Sequence, residues 1–385
     1  MLIRSSFILI FALLSFAPMA QMLTKILPEK PLIENRALAA WPKPAEASHS
    51  FVKAAGDWFN DNFGIRGLLV RLKTQIDYSV FRTSDRVHIG RDGWLFYRSV
   101  LDVERPNVET YLSHNETAVR DGIIALSAAL KRHGIQTIFV MNEMADRFYP
   151  DKVPHSALPA PTPPRVRQLT NELAKSDALS VVDATAILAE AAKSRQVFHK
   201  TDFHWNDTGA FEVAQRIVAL ASAKEGRPQT IWSHPLDIGT QRFSGGIATF
   251  MPLLLKSPHE DMLVVKPSWQ TPPDFRQDNA RGIFEFSTHF PQTGPSLLKP
   301  LTILGDSYAD GLTRSGMYLY FSDYYRIRWN LVPKLSVFTR DLPLETRHVV
   351  IQMIEVQYGA MVAFADKADI AAAVRTIDER FAGSR

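Results

Sequence analysis

The chain has 385 residues, of which 46 % are hydrophobic and 22 % charged, so disordered and fibrous classes are excluded and a large core is affordable. It contains no cysteine, which excludes a disulfide framework, cysteine-ligated zinc, iron–sulfur clusters and thiol nucleophiles. Net charge is +4, from 44 basic against 40 acidic residues, and no Lys/Arg run is dense enough to call for nucleic acid.

Arg4 precedes the apolar stretch Phe7–Ala20, the shape of a secretory signal or signal anchor. Pro18 makes a poor cleavage site after Ala20, so residues 1–27 are expected to stay as an uncleaved membrane anchor, a removed signal peptide being the alternative. Residues 28–48, with Pro28, Pro31, Pro42 and Pro44, read as a tether. The main domain is expected over 49–385. Helical spacing marks Phe51–Phe63 and Gly67–Tyr78, and Gly90–Tyr97 reads as a turn feeding an aromatic strand. A helix over Glu116–Arg132 ending at Gly134, then the apolar strand Ile135–Met141, forms a clear α/β unit.

Six prolines between 150 and 164 mark a long loop. A helix from Arg165, a strand at Leu179–Val182, a helix from Ala184 and another over Ala210–Ala221 continue the alternation. Residues 253–300 have mixed polarity and little periodicity and are expected to be an insertion or lid. Leu301–Leu304 and His348–Ile354 are buried strands, and a helix spans Asp366–Phe381. This alternation predicts a three-layer α/β domain with a mostly parallel central sheet.

Two segments carry candidate chemistry. Leu301–Leu304 runs into Gly305-Asp306-Ser307-Tyr308, placing a serine at the C-terminal end of a buried strand, where open α/β sheets keep reactive groups. In Thr201–Asn206, Asp202 and His204 lie two residues apart on one face, so the carboxylate can orient the imidazole. Each segment alone is compatible with a plain turn, a helix cap or a surface ion pair. Together they supply nucleophile, base and orienting acid for a hydrolase or acyltransferase. Adding His199 would give a three-residue metal set, but no further ligand cluster supports a metal, and no cofactor is expected. Tyr324, Tyr325, Arg326, Arg328 and Trp329 are candidates for a groove holding an acidic sugar chain, or else an alternating strand.

The segments GDWFNDNFGIRGLLVRL (56–72), GRDGWLFY (90–97), FVMNEMADRFYP (139–150), TDFHWNDTGA (201–210) and LGDSYADG (304–311) resemble, in this order, the alginate O-acetyltransferase family of the AlgX and AlgJ type. The likeness covers roughly residues 32–360 and implies an SGNH-hydrolase-like fold with a circularly permuted motif order, because the Asp/His element precedes the serine. No second carbohydrate-binding domain is recognised after residue 360, as in single-domain members. The resemblance implies catalytic Ser307, His204 and Asp202, with Asn142 and Tyr308 as substrate-binding candidates. It further implies an acetyl group moved through an acetyl-serine onto an alginate-like exopolysaccharide in the periplasm. The implied partners are the polysaccharide acceptor and an integral-membrane acyltransferase as acetyl donor, with the chain tethered to the inner membrane. An acetyl esterase with the same three residues and a non-catalytic polysaccharide-binding scaffold remain the alternatives.

Overall fold

The computed structural model describes residues 2–26, 32, 37–43, 48–227, 236–267, 276–281, 283–290 and 297–383. Helices α1 (Leu2–Thr24), α2 (Ser48–Asn62) and α3 (Arg66–Ile76) precede a small antiparallel hairpin of β1 (Val87–Ile89) and β2 (Leu95–Tyr97). Among the described residues no helix is long and apolar enough to cross a membrane. The membrane anchor expected over 1–27 is therefore unsupported: the unbroken apolar run is only Phe7–Leu14, interrupted beyond it by Ser15, Pro18 and Gln21. The tether over 28–48 lies largely outside the described residues. Its described part packs against α2, with the Ala39 N–H donating to Asp61 Oδ2 at 2.8 Å and the Trp41 ring edge-on to Trp58 at 4.7 Å.

The long helix α4 (Arg105–Arg132) ends where Gly134 takes a left-handed φ of 74°, letting the Ile135 N–H reach back to the Leu130 carbonyl. It feeds β3 (Gln136–Asn142), α5 (Arg165–Leu173), β4 (Ser180–Val182), α6 (Ala184–Ala192) and α7 (Asp207–Lys224). Then follow β5 (Leu236–Phe243), α8 (Gly246–Thr249), β6 (Glu260–Pro267), β7 (Arg276–Arg281) and β8 (Phe284–His289). The chain closes with β9 (Leu301–Gly305), α9 (Ala309–Arg314), β10 (Asp323–Arg328), α10 (Leu335–Asp341), β11 (His348–Ile354), α11 (Tyr358–Ala365) and α12 (Lys367–Phe381).

Seven strands form the central sheet in the order β4-β3-β11-β9-β10-β8-β7. Pairing is parallel from β4 to β10 and antiparallel for β8 and β7, so the sheet is mixed, with a parallel centre. Where the sequence suggested a lid over 253–300, β7 and β8 extend the sheet edge and β6 pairs with β5 in a separate ribbon.

Both faces of the central strands are covered. Along β3, Ile138 and Val140 join one core cluster with Trp205, Val213, Ile217, Ile303 and Tyr308, while Phe139 and Met141 join another with Leu126, Leu304, Ile351 and Phe364. Strands buried on both sides read as continuous apolar runs, which is why these were legible.

Candidate active site

The loop that carries Asp202 and His204 is closed on itself before α7 begins. Phe198 and Trp205 form an isolated antiparallel bridge, the Asn206 N–H donates to the Val197 carbonyl at 3.0 Å, and Asn206 Oδ1 caps α7 by accepting from the Gly209 N–H. Glu260, at the start of β6, supports this loop from outside. Its Oε1 accepts from the Lys200 N–H at 2.7 Å, the Thr201 N–H at 3.0 Å and the Thr201 hydroxyl at 3.0 Å.

Asp202, His204 and Ser307 stand in one hydrogen-bonded chain. His204 Nδ1 lies 2.6 Å from Asp202 Oδ1, and His204 Nε2 lies 2.7 Å from Ser307 Oγ. The carboxylate accepts only, so it fixes the tautomer: Nδ1–H donates to Asp202 and Nε2 accepts from the serine hydroxyl. The second oxygen, Oδ2, accepts from the Gly246 N–H at 2.6 Å. Burial pushes the Asp202 carboxyl up, but the hydrogen bond and charge of His204 and the Gly246 amide outweigh it and hold it down at about 2. Ser307 and His204 are half-buried and reachable from solvent.

The Ser307 turn is fixed by its neighbours. Asp306 Oδ1 accepts from the Tyr308 N–H at 2.9 Å, Oδ2 accepts from the Ile354 N–H at 2.7 Å, and the Asp306 N–H donates to Gln352 Oε1 at 3.0 Å. Full burial pushes the Asp306 carboxyl up to about 6 despite these donors.

Two expected substrate contacts are corrected. Tyr308 has no exposed surface; its hydroxyl donates to the Phe203 carbonyl, so it belongs to the core beneath the site. Asn142 is also fully buried, its Oδ1 accepting from Gln352 Nε2 at 2.9 Å, which puts it behind the serine turn. The acidic-sugar groove is corrected as well. Tyr324 and Trp329 are buried, and Arg326 and Arg328 are both paired with Glu285 and Asp310. His199 stacks on Phe243 at 4.3 Å, and no metal-binding group of three or more His, Cys, Asp or Glu occurs among the described residues.

A buried ionic cluster beside the site was not foreseen. Arg105 pairs with Asp146 at 2.6 Å and Glu355 at 2.8 Å, while Arg147 pairs with Glu355 at 2.7 Å. It locks the loop after β3 to the loop after β11. Its members are scattered from 105 to 355, so spacing alone gives no signal.

A family described as "SGNH hydrolase-like domain, acetyltransferase AlgX" matches residues 87–284. A probable alginate O-acetylase AlgJ of Pseudomonas syringae pv. tomato is 26 % identical over 210 residues, covering 53 % of this chain and 51 % of that protein. Its counterpart in Pseudomonas aeruginosa is 27 % identical over 220 residues, covering 54 % and 51 %. The chain therefore spans about half the length of these curated relatives. The solved O-acetyltransferase domain of Pseudomonas putida AlgJ overlays with a TM-score of 0.47 at 19 % identity, covering 75 % of this chain and 98 % of that one. Bacillus cereus PatB1 overlays at 0.49 with 13 % identity, covering 69 % and 94 %.

Proposed function

Because the chain belongs to the family of the SGNH hydrolase-like domain of acetyltransferase AlgX, we propose that it is an O-acetyltransferase that acetylates an exopolysaccharide in the periplasm. The observation that carries this reading is the continuous relay from Asp202 through His204 to Ser307.

In this mechanism Ser307 Oγ attacks the carbonyl carbon of the donor acetyl group while His204 Nε2 takes its proton. Backbone N–H groups at the turn hold the oxyanion; that of Tyr308 is already given to Asp306 Oδ1 and is not among them. Collapse expels the donor oxygen, which takes the proton back from His204, and leaves an acetyl-serine. A sugar hydroxyl then passes its proton to His204 and attacks the same carbon, and Ser307 Oγ leaves protonated. Asp202 stays ionised throughout, because its carboxyl lies at about 2. An integral-membrane acyltransferase at the inner membrane is the proposed donor partner. The relatives are named alginate O-acetylases, which makes an alginate oligomer the reference acceptor against which others are compared.

The test uses the chain and its Ser307→Ala variant with an activated acetyl ester, with and without oligosaccharides. Serine-dependent acetate release diverted onto sugar is the expected result. Release to water alone would make the chain an esterase, and release that survives Ser307→Ala would overturn the site.

A further inference from the structure

Strands β9 and β11 are neighbours, yet the chain leaves them toward opposite faces of the sheet. After β9 it enters α9, which packs on α7; after β11 it enters α11, which packs on α4. In an open α/β sheet such divergence opens a crevice outside the C-terminal ends of the strands, where ligands bind. Ser307 follows β9 at this end of the sheet, and Val356–Gly359 follow the neighbouring β11. The two segments are fastened together where the Ile354 N–H donates to Asp306 Oδ2, beside Ser307, and Val356 packs in the same core cluster as Tyr308.

Beside Val356–Gly359 a cleft of about 600 Å³ lies between the first turns of α4 and the start of α11. The Tyr111 and Tyr358 rings meet edge-on there at 5.0 Å, with an interplanar angle of 68°. They present aromatic surface in two orientations, suited to the C–H faces of a sugar ring. Asn107, Thr110 and Gln357 add amide and hydroxyl groups that both donate and accept, the complement of sugar hydroxyls.

The charge of the lining narrows the ligand. No lysine or arginine lines the cleft among the described residues; His114 lines it, and its carboxylate is Glu104, which accepts from the Ser99 hydroxyl at 2.8 Å. The nearby cations are committed elsewhere: Arg105 and Arg147 are buried against Asp146 and Glu355. A polyuronate would bring one carboxylate per sugar toward Glu104 with no permanent cation to receive it and only the single imidazole of His114 opposite.

We propose that this cleft is the acceptor subsite, and that the stretch of polysaccharide it takes is neutral and hydroxyl-rich rather than a run of uronic acids. The assignment as an acceptor subsite rests on the O-acetyltransferase reading; the binding itself does not.

The test is calorimetric titration of the full chain with cellohexaose, N-acetylchitopentaose and a mannuronate hexamer, repeated with Tyr358→Ala and Asn107→Ala. Tyr358 and Asn107 are exposed, and circular dichroism checks that both variants fold. Binding of at least one neutral oligomer, weakened about tenfold by Tyr358→Ala and less by Asn107→Ala, with the mannuronate at least about tenfold weaker, is the expected outcome. Tighter binding of the mannuronate, no binding of either neutral oligomer, or neutral binding indifferent to both substitutions would overturn it. Serine-dependent acetate release is scored separately. Its absence with sugar binding intact removes the transferase reading and leaves the cleft; its presence without cleft binding does the reverse.

Discussion

The indole N–H of Trp205 donates to the main-chain carbonyl of Tyr308 at 3.0 Å, and in the opposite direction the Tyr308 hydroxyl donates to the carbonyl of Phe203. The residues on either side of His204 are thus tied to the residue after Ser307. The 2.7 Å approach of His204 to Ser307 is set by a buried two-bond clasp, not left to two independent loops.

Removing either bond tests this clasp. Tyr308→Phe leaves the Phe203 carbonyl without its donor, a loss of about 1–3 kcal/mol of stability, whereas after Trp205→Phe the Tyr308 carbonyl keeps the Gly311 N–H at 3.0 Å and the lost hydrogen bond costs about 0.5–1.5 kcal/mol. Turnover of a small acetyl ester is expected to fall more in kcat than in KM, since the reacting geometry loosens but the surface does not. Thermal melts and steady-state kinetics on both variants check this; a wild-type kcat would make the clasp purely structural.

Asp202→Asn keeps the shape of the loop but puts an amide where His204 Nδ1–H needs an acceptor. The wrong tautomer then faces Ser307, and kcat is expected to drop by about 10³–10⁴ with little change in far-ultraviolet circular dichroism. Activity within tenfold of wild type would assign Asp202 to loop structure alone.

The two aspartates impose opposite pH slopes. Asp202, at about 2 against an ordinary 3.8, favours the fold when ionised, so its contribution is complete above the ordinary value and is lost as pH falls toward 2. Asp306, at about 6, keeps in the fold a proton that the unfolded chain has already released, so stability falls as pH rises from about 4 to 6. Urea midpoints against pH should lose the lower slope in Asp202→Asn and the upper one in Asp306→Asn. An upper slope that persists in Asp306→Asn would place that proton on another group.

Gly245 touches the wall behind the relay. A methyl group there would sit 2.5 Å from both the Asp202 Cβ and the Thr201 carbonyl oxygen, and neither can swing aside as a flexible chain end could. Gly245→Ala is expected to cost about 1–3 kcal/mol and to lower kcat by displacing Asp202. Chemical denaturation and ester kinetics measured together decide whether both effects appear.

Glu355→Ala would leave Arg105 and Arg147 with one partner fewer in a dry environment, at a cost of about 3–5 kcal/mol. Burial raises the Glu355 carboxyl, but the two guanidinium groups outweigh it and hold it below the ordinary range. Glu355→Gln, which keeps the shape and one acceptor, should lose less. Equal midpoints for the two variants in guanidinium chloride would show that the shape and remaining acceptor of Gln recover nothing and that the loss lies with the charge.

The relay residues were legible because their spacing is local and their strand contexts are strongly apolar: Asp202 and His204 share one loop, and Ser307 directly follows β9. What failed needed partners distant in the chain. Arg326 and Arg328 looked like a ligand-binding alternation, but Glu285 on β8 and Asp310 on α9 consume them. The β7 sequence Arg276–Arg281 has no apolar residue but Ala280 and cannot announce a strand; its place at the sheet edge supplies the order. Likewise α4 begins at Arg105 and not near Glu116, because its first turns face the cleft with polar residues and break the apolar period.

The separation of the relay along the chain also sets an order of assembly. Asp202 and His204 are two residues apart, so their pairing closes almost no loop, whereas Ser307 lies 103 residues beyond His204. Ser307 reaches its position only when β9 is seated between β11 and β10, and β11 is the last strand to leave the ribosome. A nascent chain can therefore form the imidazole–carboxylate pair, but it holds no activated hydroxyl. Under the proposed mechanism, reactivity toward acyl donors begins only with completion of the sheet, so the chemistry is timed by topology.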